Sequence, residues 1–246
     1  MKLIRILIFL LILNSFILTG FLASQYTGKV IDKTKIEYAN LTRVIDGDTI
    51  DTSLGKVRLL GINTPEKNQK GYQEAKNFLQ QFEGKEISLE LTKEDVDKYY
   101  RKLRYLFYKD NFINKKILEY GFAHFYTYNK DKYTDELRKT EEKAREKELG
   151  IWEKSKEECS ECIILIKLNE VDPGEYIILG NKCKINCSLI GWTIDDDSSS
   201  HTRKLNNYIE AEQSARIDYN GSIWNDDGDS LYLRDEKGYL VLFYRY

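Results

Sequence analysis

Arg58-Leu59-Leu60-Gly61-Ile62-Asn63-Thr64-Pro65-Glu66 stands a few residues beyond Val44-Ile45-Asp46-Gly47-Asp48-Thr49-Ile50. In both stretches an apolar run breaks into a polar turn that contains glycine or proline, the signature of a strand delivering side chains to its end. Working outward from them, alternation of apolar and polar residues predicts strands over 38–44, 49–52, 57–62, 87–91 and 103–108. In the fourth, Ile87, Leu89 and Leu91 share a face. A spacing of three and four predicts helices over about 70–82, with Tyr72, Ala75, Leu79 and Phe82 inward, and over about 113–120, stopped by Gly121. A third helix is expected from Thr134 to a stop at Gly150, with Leu137, Ala144 and Leu149 as its thin apolar side. Five short strands and three helices in so little chain imply an α+β fold built on a small barrel of the oligonucleotide/oligosaccharide-binding (OB) type.

The chain has 246 residues, 41% hydrophobic and 32% charged, which excludes wholesale disorder and a polytopic membrane protein. Its two histidines, His124 and His201, lie too far apart in sequence to suggest a centre built on several imidazoles. His124, among apolar neighbours, reads as a packed or half-exposed structural residue. Residues 25–155 carry 26 basic and 23 acidic side chains, whereas residues 156–246 carry 10 and 17. The basic half is the better candidate for a polyanion, although its small excess excludes tight binding by charge alone. Residues 3–23 are almost wholly apolar behind Lys2 and Arg5 and as a helix would span about 30 Å, so residues 1–24 read as a signal peptide or a membrane anchor. The positive end should stay in the cytoplasm, placing the rest of the chain outside, tethered or secreted.

The two quoted stretches, with Asp97-Lys98-Tyr99-Tyr100-Arg101, also assemble a chemistry. A hard cation such as calcium wants oxygen ligands, and Asp48, the Asn63 side chain and the Thr64 carbonyl offer them from adjacent strand ends. Hydrolysis of a phosphodiester needs a carboxylate for water, available in Glu66, and fixed positive charge on phosphorus oxygens, available in Arg58 and Arg101. Taken singly, Asp46-Gly47-Asp48 is also a plain hairpin turn, and Thr64-Pro65-Glu66 a plain helix start.

Together with Tyr72-Gln73-Glu74-Ala75-Lys76-Asn77-Phe78, Gly121-Phe122-Ala123 before Tyr126, and Leu149-Gly150-Ile151-Trp152, these motifs resemble the staphylococcal nuclease (thermonuclease) family over residues 38–153. The resemblance implies a five-stranded barrel with three helices and calcium-dependent cleavage of DNA and RNA to 3′-phosphate ends. It also implies that Arg58, Glu66 and Arg101 are catalytic, that Asp48, Asn63 and Thr64 bind calcium, and that Tyr126 and Tyr128 contact the nucleotide. Asn63 stands where aspartate is usual, and Tyr100 where glycine commonly precedes the arginine. The loss of a charge at position 63 leaves one rival reading, a non-catalytic surface module that holds nucleic acid on the same barrel.

Residues 153–161 read as a polar linker, and beyond them only strand patterns occur, over 163–168, 175–179, 189–194, 229–234 and 239–244. This implies an all-β second domain of sandwich type. Gly191-Trp192 and Gly228-Asp229-Ser230-Leu231 make residues 160–246 similar to the lamin-tail domain family, which implies an immunoglobulin-like sandwich without catalytic residues, used on an unknown surface or protein partner. Asp195-Asp196-Asp197 and Asp226-Asp227-Gly228-Asp229 read as solvated turns rather than calcium loops. Cys159, Cys162, Cys183 and Cys187 allow a four-thiolate zinc site, but an exported chain favours disulfides, their pairing open.

Overall fold

In the computed structural model the chain divides into Met1–Ile36 and Glu37–Tyr246, and the elements below belong to the second, β1 alone starting one residue earlier. The structure describes residues 36–127, 129–170, 174–198, 201–219, 223–225 and 228–246. The apolar stretch 3–23 therefore lies outside the described residues, among which no helix is long and apolar enough to cross a membrane.

Strands β1 (Ile36–Val44), β2 (Thr49–Thr52) and β3 (Gly55–Leu59) form an antiparallel meander. The second lobe of the sheet, β4 (Glu86–Val96) and β5 (Lys102–Tyr108), pairs antiparallel with itself, and β4 lies beside β1. A parallel register of Val57 to Lys102, Arg58 to Leu103 and Leu59 to Arg104 then joins β3 to β5 and closes a five-stranded barrel. Closure leaves no long unpaired edge. A two-residue strand, β6 (Asn111–Phe112), turns back on β5. Alternation explains the interior: Leu41, Ile50, Val57, Leu59, Ile87, Leu89 and Leu106 all point into one core.

Helices α1 (Tyr72–Gln80), α2 (Ile113–Glu119) and α3 (Thr134–Glu146) add Leu79, Ile117, Leu118 and Leu137 to that core. The third helix is shorter than its sequence suggests. After Glu146 the backbone turns left-handed at Glu148, so Leu149 leaves the apolar side and is 37% exposed. The stop is set by a backbone crossing. Ile151 N–H donates to the Gly121 carbonyl at 2.8 Å, and a Cβ on Gly121 would stand 2.1 Å from the Leu149 carbonyl oxygen. Gly150 answers it, since its own Cβ would meet the Gly121 carbonyl oxygen at 2.2 Å.

Residues 163–246 build three further sheets. Strands β7 (Ile163–Asn169), β8 (Tyr176–Asn181) and β13 (Ser214–Asp218) run in the order β13-β8-β7. The pair β9 (Cys187–Ser188) and β12 (Tyr208–Ile209) forms a second. The third orders β10 (Thr193–Asp195), β11 (Arg203–Lys204), β14 (Ser230–Arg234) and β15 (Leu240–Arg245) as β11-β10-β14-β15. Ile177, Leu179, Trp192, Ile194, Trp224, Leu231 and Leu233, from more than one of these sheets, share one core. The cysteines pair as Cys159–Cys187 and Cys162–Cys183, which fastens the turn at Glu158–Glu161 to this β-rich half.

Two expectations need correction. Residues 153–161 are not a free linker, because Lys154 bridges in parallel to Leu240, Ser155 N–H donates to the Leu240 carbonyl and Leu240 N–H donates to the Glu153 carbonyl. Nor is the Asp195-Asp196-Asp197 turn solvated, and the described part of the second acidic turn is equally enclosed: Asp196 and Asp229 are each 5% exposed. Asp229 accepts from the backbone N–H groups of Ser230 and Asn225 and so organises its own loop, while Asp197 accepts from the Tyr232 hydroxyl at 2.5 Å. Asp226 and Asp227 lie outside the described residues.

Candidate active site

The site is assembled where the β1–β2 turn meets the chain leaving β3. Asp46 shapes the turn by accepting from the backbone N–H of Asp48 at 3.1 Å and of Thr49 at 2.7 Å. Gly47 lets the turn press inward, since a Cβ there would lie 2.6 Å from Ala75 Cβ and 2.7 Å from Thr64 Oγ1. Asp48, 7% exposed, then accepts through Oδ2 from Thr64 N–H at 3.0 Å and Thr64 Oγ1 at 3.1 Å. Its other oxygen accepts from the Thr49 hydroxyl and faces Arg58 Nη1 at 3.1 Å.

Arg58 is locked in place. Its Nη1 donates to the carbonyls of Leu59 and Ile62, both at 2.9 Å, and its Nη2 donates to Asn63 Oδ1 at 3.1 Å. One guanidinium therefore spans Asp48 and Asn63. Burial, with the neighbouring charge of Asp48, raises the Asp46 carboxyl above its ordinary range. Two carboxyl groups thus lean on one fixed cation.

Arg101 arrives from the turn between β4 and β5. Its Nε donates to Asp97 Oδ2 at 2.7 Å, and Nη1 reaches the Thr49 hydroxyl at 3.4 Å. Burial tends to raise Asp97, but hydrogen bonds from the Arg101 backbone and guanidinium outweigh it and hold that carboxyl below its usual range. The pair fixes the Nε edge of the arginine fork, and the Nη edge carries the long contact to Thr49. The turn itself is held by Asp97 Oδ1, which accepts from Tyr99 N–H and Arg101 N–H, both at 2.9 Å.

Asp48, Arg58, Asn63, Thr64 and Arg101 are thus joined through direct contacts or through Thr49 alone. Glu66 lies two residues beyond Thr64 on the same loop, its side chain exposed and its backbone N–H donated to Gln69 Oε1 at 2.7 Å. Tyr126 is half-buried on the segment after His124, with its N–H on the Gly61 carbonyl. Tyr128 falls outside the described residues.

Sequence reasoning missed the wall behind the site. Asn63 and His124 form a two-way backbone bridge at 2.9 and 2.8 Å, and the His124 ring packs on Tyr232 and Trp152 with centroids at 4.3 and 5.0 Å. Burial holds its imidazole well below the usual range, as do the charges of Arg234 and Arg245, so His124 is neutral packing as expected. Asn63 Nδ2 donates to the Asp197 carbonyl at 3.1 Å, and Gln69 Nε2 donates to the Thr202 hydroxyl at 3.2 Å. Residues more than 130 positions downstream therefore flank the loop that carries Glu66. The double aspartate of Asp46-Gly47-Asp48 was a visible signal for Asp46, whereas nothing near Asp197 or Thr202 announced a role here.

By type the donors fit a hard cation: a buried carboxylate, an amide oxygen, a backbone carbonyl and a second carboxyl group beside them. In this structure the Arg58 guanidinium fills the place between Asp48 and Asn63. Among the described residues no cluster of three or more His, Cys, Asp or Glu side chains surrounds a common point, so any such ion would depend on Asn63 and main-chain oxygen as well as carboxylate.

A family model described as staphylococcal nuclease homologue matches residues 56–154. The thermonuclease of Staphylococcus intermedius is 36% identical over 125 residues, which cover 46% of this chain and 74% of that protein. An uncharacterized protein of Methanocaldococcus jannaschii is 29% identical over 163 residues, 52% of this chain and 77% of its own. An endonuclease of Bacillus subtilis is 33% identical over 138 residues, 50% and 65% of the two chains.

Proposed function

Because the chain belongs to the staphylococcal nuclease family and is on that ground a phosphodiester-hydrolysing nuclease, we propose that it cuts DNA and RNA with calcium and leaves 3′-phosphate ends. The observation that carries the reading is the convergence of two guanidinium groups, Arg58 and Arg101, on the buried Asp48-Thr49 pair. Each presents a permanent, forked charge, and charge accumulates on the phosphate oxygens as phosphorus becomes five-coordinate. Substrate phosphate competes with Asp48 and Asn63 for Arg58. The Asp97 carboxylate keeps Arg101 aimed while its Nη groups engage the same phosphate. Glu66, exposed on the loop after Thr64, orients the attacking water and takes its proton; the bond from phosphorus to the 5′-oxygen breaks, and that oxygen takes a proton from solvent. Calcium, held by Asp48, Asn63 and Thr64, would supply further charge neutralisation at the phosphate when bound. The rival reading as a pure binding module has no use for the combination of Glu66 with Arg58 and Arg101.

Several wider assignments belong to the same proposal. The nuclease domain runs over residues 38–153, followed at 160–246 by a lamin-tail-like domain with an immunoglobulin-like sandwich that attaches the enzyme to a surface or protein partner. The apolar N-terminal stretch exports the chain and anchors it or is removed. Nucleotide contacts of Tyr126 and Tyr128 complete the substrate site.

The test is digestion of single-stranded DNA by purified protein with calcium and with a chelator. Glu66→Gln, Arg58→Ala and Arg101→Ala are each expected to lower kcat by about 10²- to 10⁴-fold. Cleavage that is indifferent to all three substitutions overturns the assignment.

A further inference from the structure

The turn that presents Arg101 contains a costly residue. Tyr100 adopts φ +62°, in the left-handed region that favours glycine, and its side chain is 88% exposed. It is neither buried nor tied down: no hydrogen bond, ion pair or ring contact of its side chain occurs among the described residues. Asp97 nevertheless fixes this backbone, since Tyr100 N–H donates to the Asp97 carbonyl while its two neighbours donate to the Asp97 carboxylate. An unfavourable conformation is therefore held rigidly, and it projects a bare aromatic ring outward one residue from Arg101. Packing explains neither the residue nor its exposure. The surroundings are cationic, with the Arg101 guanidinium and the Lys98 amine 5.4 and 5.1 Å from the adjacent Tyr99 ring.

We propose that Tyr100 is a base-stacking residue, a binding platform for the nucleobase next to the phosphate gripped by Arg101, and that it biases the enzyme toward unpaired strands. The inference rests on the nuclease reading for its substrate. Stacking needs an uncovered flat face carried on a backbone that does not shift when the base arrives, and Tyr100 meets both conditions. A base inside a duplex has both faces occupied, so only a frayed or single-stranded nucleotide can use the platform. The left-handed backbone serves the turn around Asp97, where glycine would fit without strain; a tyrosine there, whose ring makes no contact among the described residues, is accounted for by contact with a ligand.

Tyr100→Gly separates the two effects, because glycine tolerates φ +62° and the variant should fold at least as stably as the parent. Binding of a short single-stranded oligonucleotide carrying 2-aminopurine is measured by fluorescence quenching in a chelator, alongside KM for cleavage in calcium. Tyr100→Gly is expected to weaken binding and raise KM by about tenfold, to abolish the quench and to leave kcat within about twofold. Tyr100→Phe should match the parent. With an oligonucleotide whose flanking sugars carry no base, parent and Tyr100→Gly should become equal. Unchanged affinity and quench in Tyr100→Gly, or an equal loss on the baseless strand, overturns the stacking role. If the parent cuts no substrate at all, the nuclease reading falls, and the binding measurement still decides for or against Tyr100.

Discussion

Arg245→Met tests how far the barrel depends on the β-rich half. Glu141 on α3 is fully buried and receives Phe125 N–H at 2.9 Å, Arg245 Nη1 at 3.0 Å and the more distant Arg145 Nη1 at 3.6 Å. Burial raises the Glu141 carboxyl above its ordinary 4.5, and Arg245 offsets this in part. Removing one partner of a buried pair costs about 3–5 kcal/mol, and the lower end applies because Arg245 keeps 21% side-chain exposure and Arg145 remains. A loss of about 3 kcal/mol at pH 7.5 corresponds to roughly 6–12 °C in melting temperature for a folded unit of this size. The sign of the pH dependence is fixed. A carboxyl whose folded pKa is raised binds its proton more readily when folded, so stability declines as pH climbs above 4.5 through the folded pKa. Without Arg245 that pKa rises further, so the variant should lose most at pH 7.5 and less at pH 5. Glu141→Gln in the Arg245→Met background should recover part of the loss. Urea titrations at the two pH values provide the measurement. A deficit below 1 kcal/mol, or one equal at both pH values, would refute the reasoning.

Two further substitutions address the site. Asn63→Asp replaces a donor to the Asp197 carbonyl with an acceptor, so the urea midpoint should fall by an amount equivalent to about 1–2 kcal/mol while calcium titration shows tighter binding. Unchanged values of both would show that the amide does not hold the loop. Gly47→Ala forces its Cβ against Ala75 and Thr64, and a loss of about 1–3 kcal/mol with reduced kcat is expected from denaturation and single-strand cleavage. Wild-type values would mean that the turn shifts freely.

The barrel was readable because its strands bury one face each, and Ile87 and Leu89 announce theirs by simple alternation. The candidate site was readable because Asp48, Arg58, Asn63, Thr64 and Glu66 sit in two short stretches at neighbouring strand ends, whereas Arg101 had to be supplied by the separate motif at residues 97–101. The short pairs β9, β11 and β12 were not, since two residues carry no period, and the polar Ser214–Asp218 strand owes its place to β8 rather than to its own pattern. The end of helix α3 is not legible in the sequence, because its charged residues suit a helix throughout while the decisive crossing of Gly121 and Gly150 joins distant segments. For the same reason Asp196 looked solvated. What encloses it is tertiary, and composition pointed the other way.

The Glu141–Arg245 contact spans 104 positions of sequence. A ribosome adding roughly 5–20 residues per second needs on the order of 5–20 s to travel between them. Throughout that interval α3 holds an anion whose principal counterion has not yet been polymerised. Early barrels should therefore be loosely closed around α3 and prone to capture by chaperones, tightening only when β15 arrives.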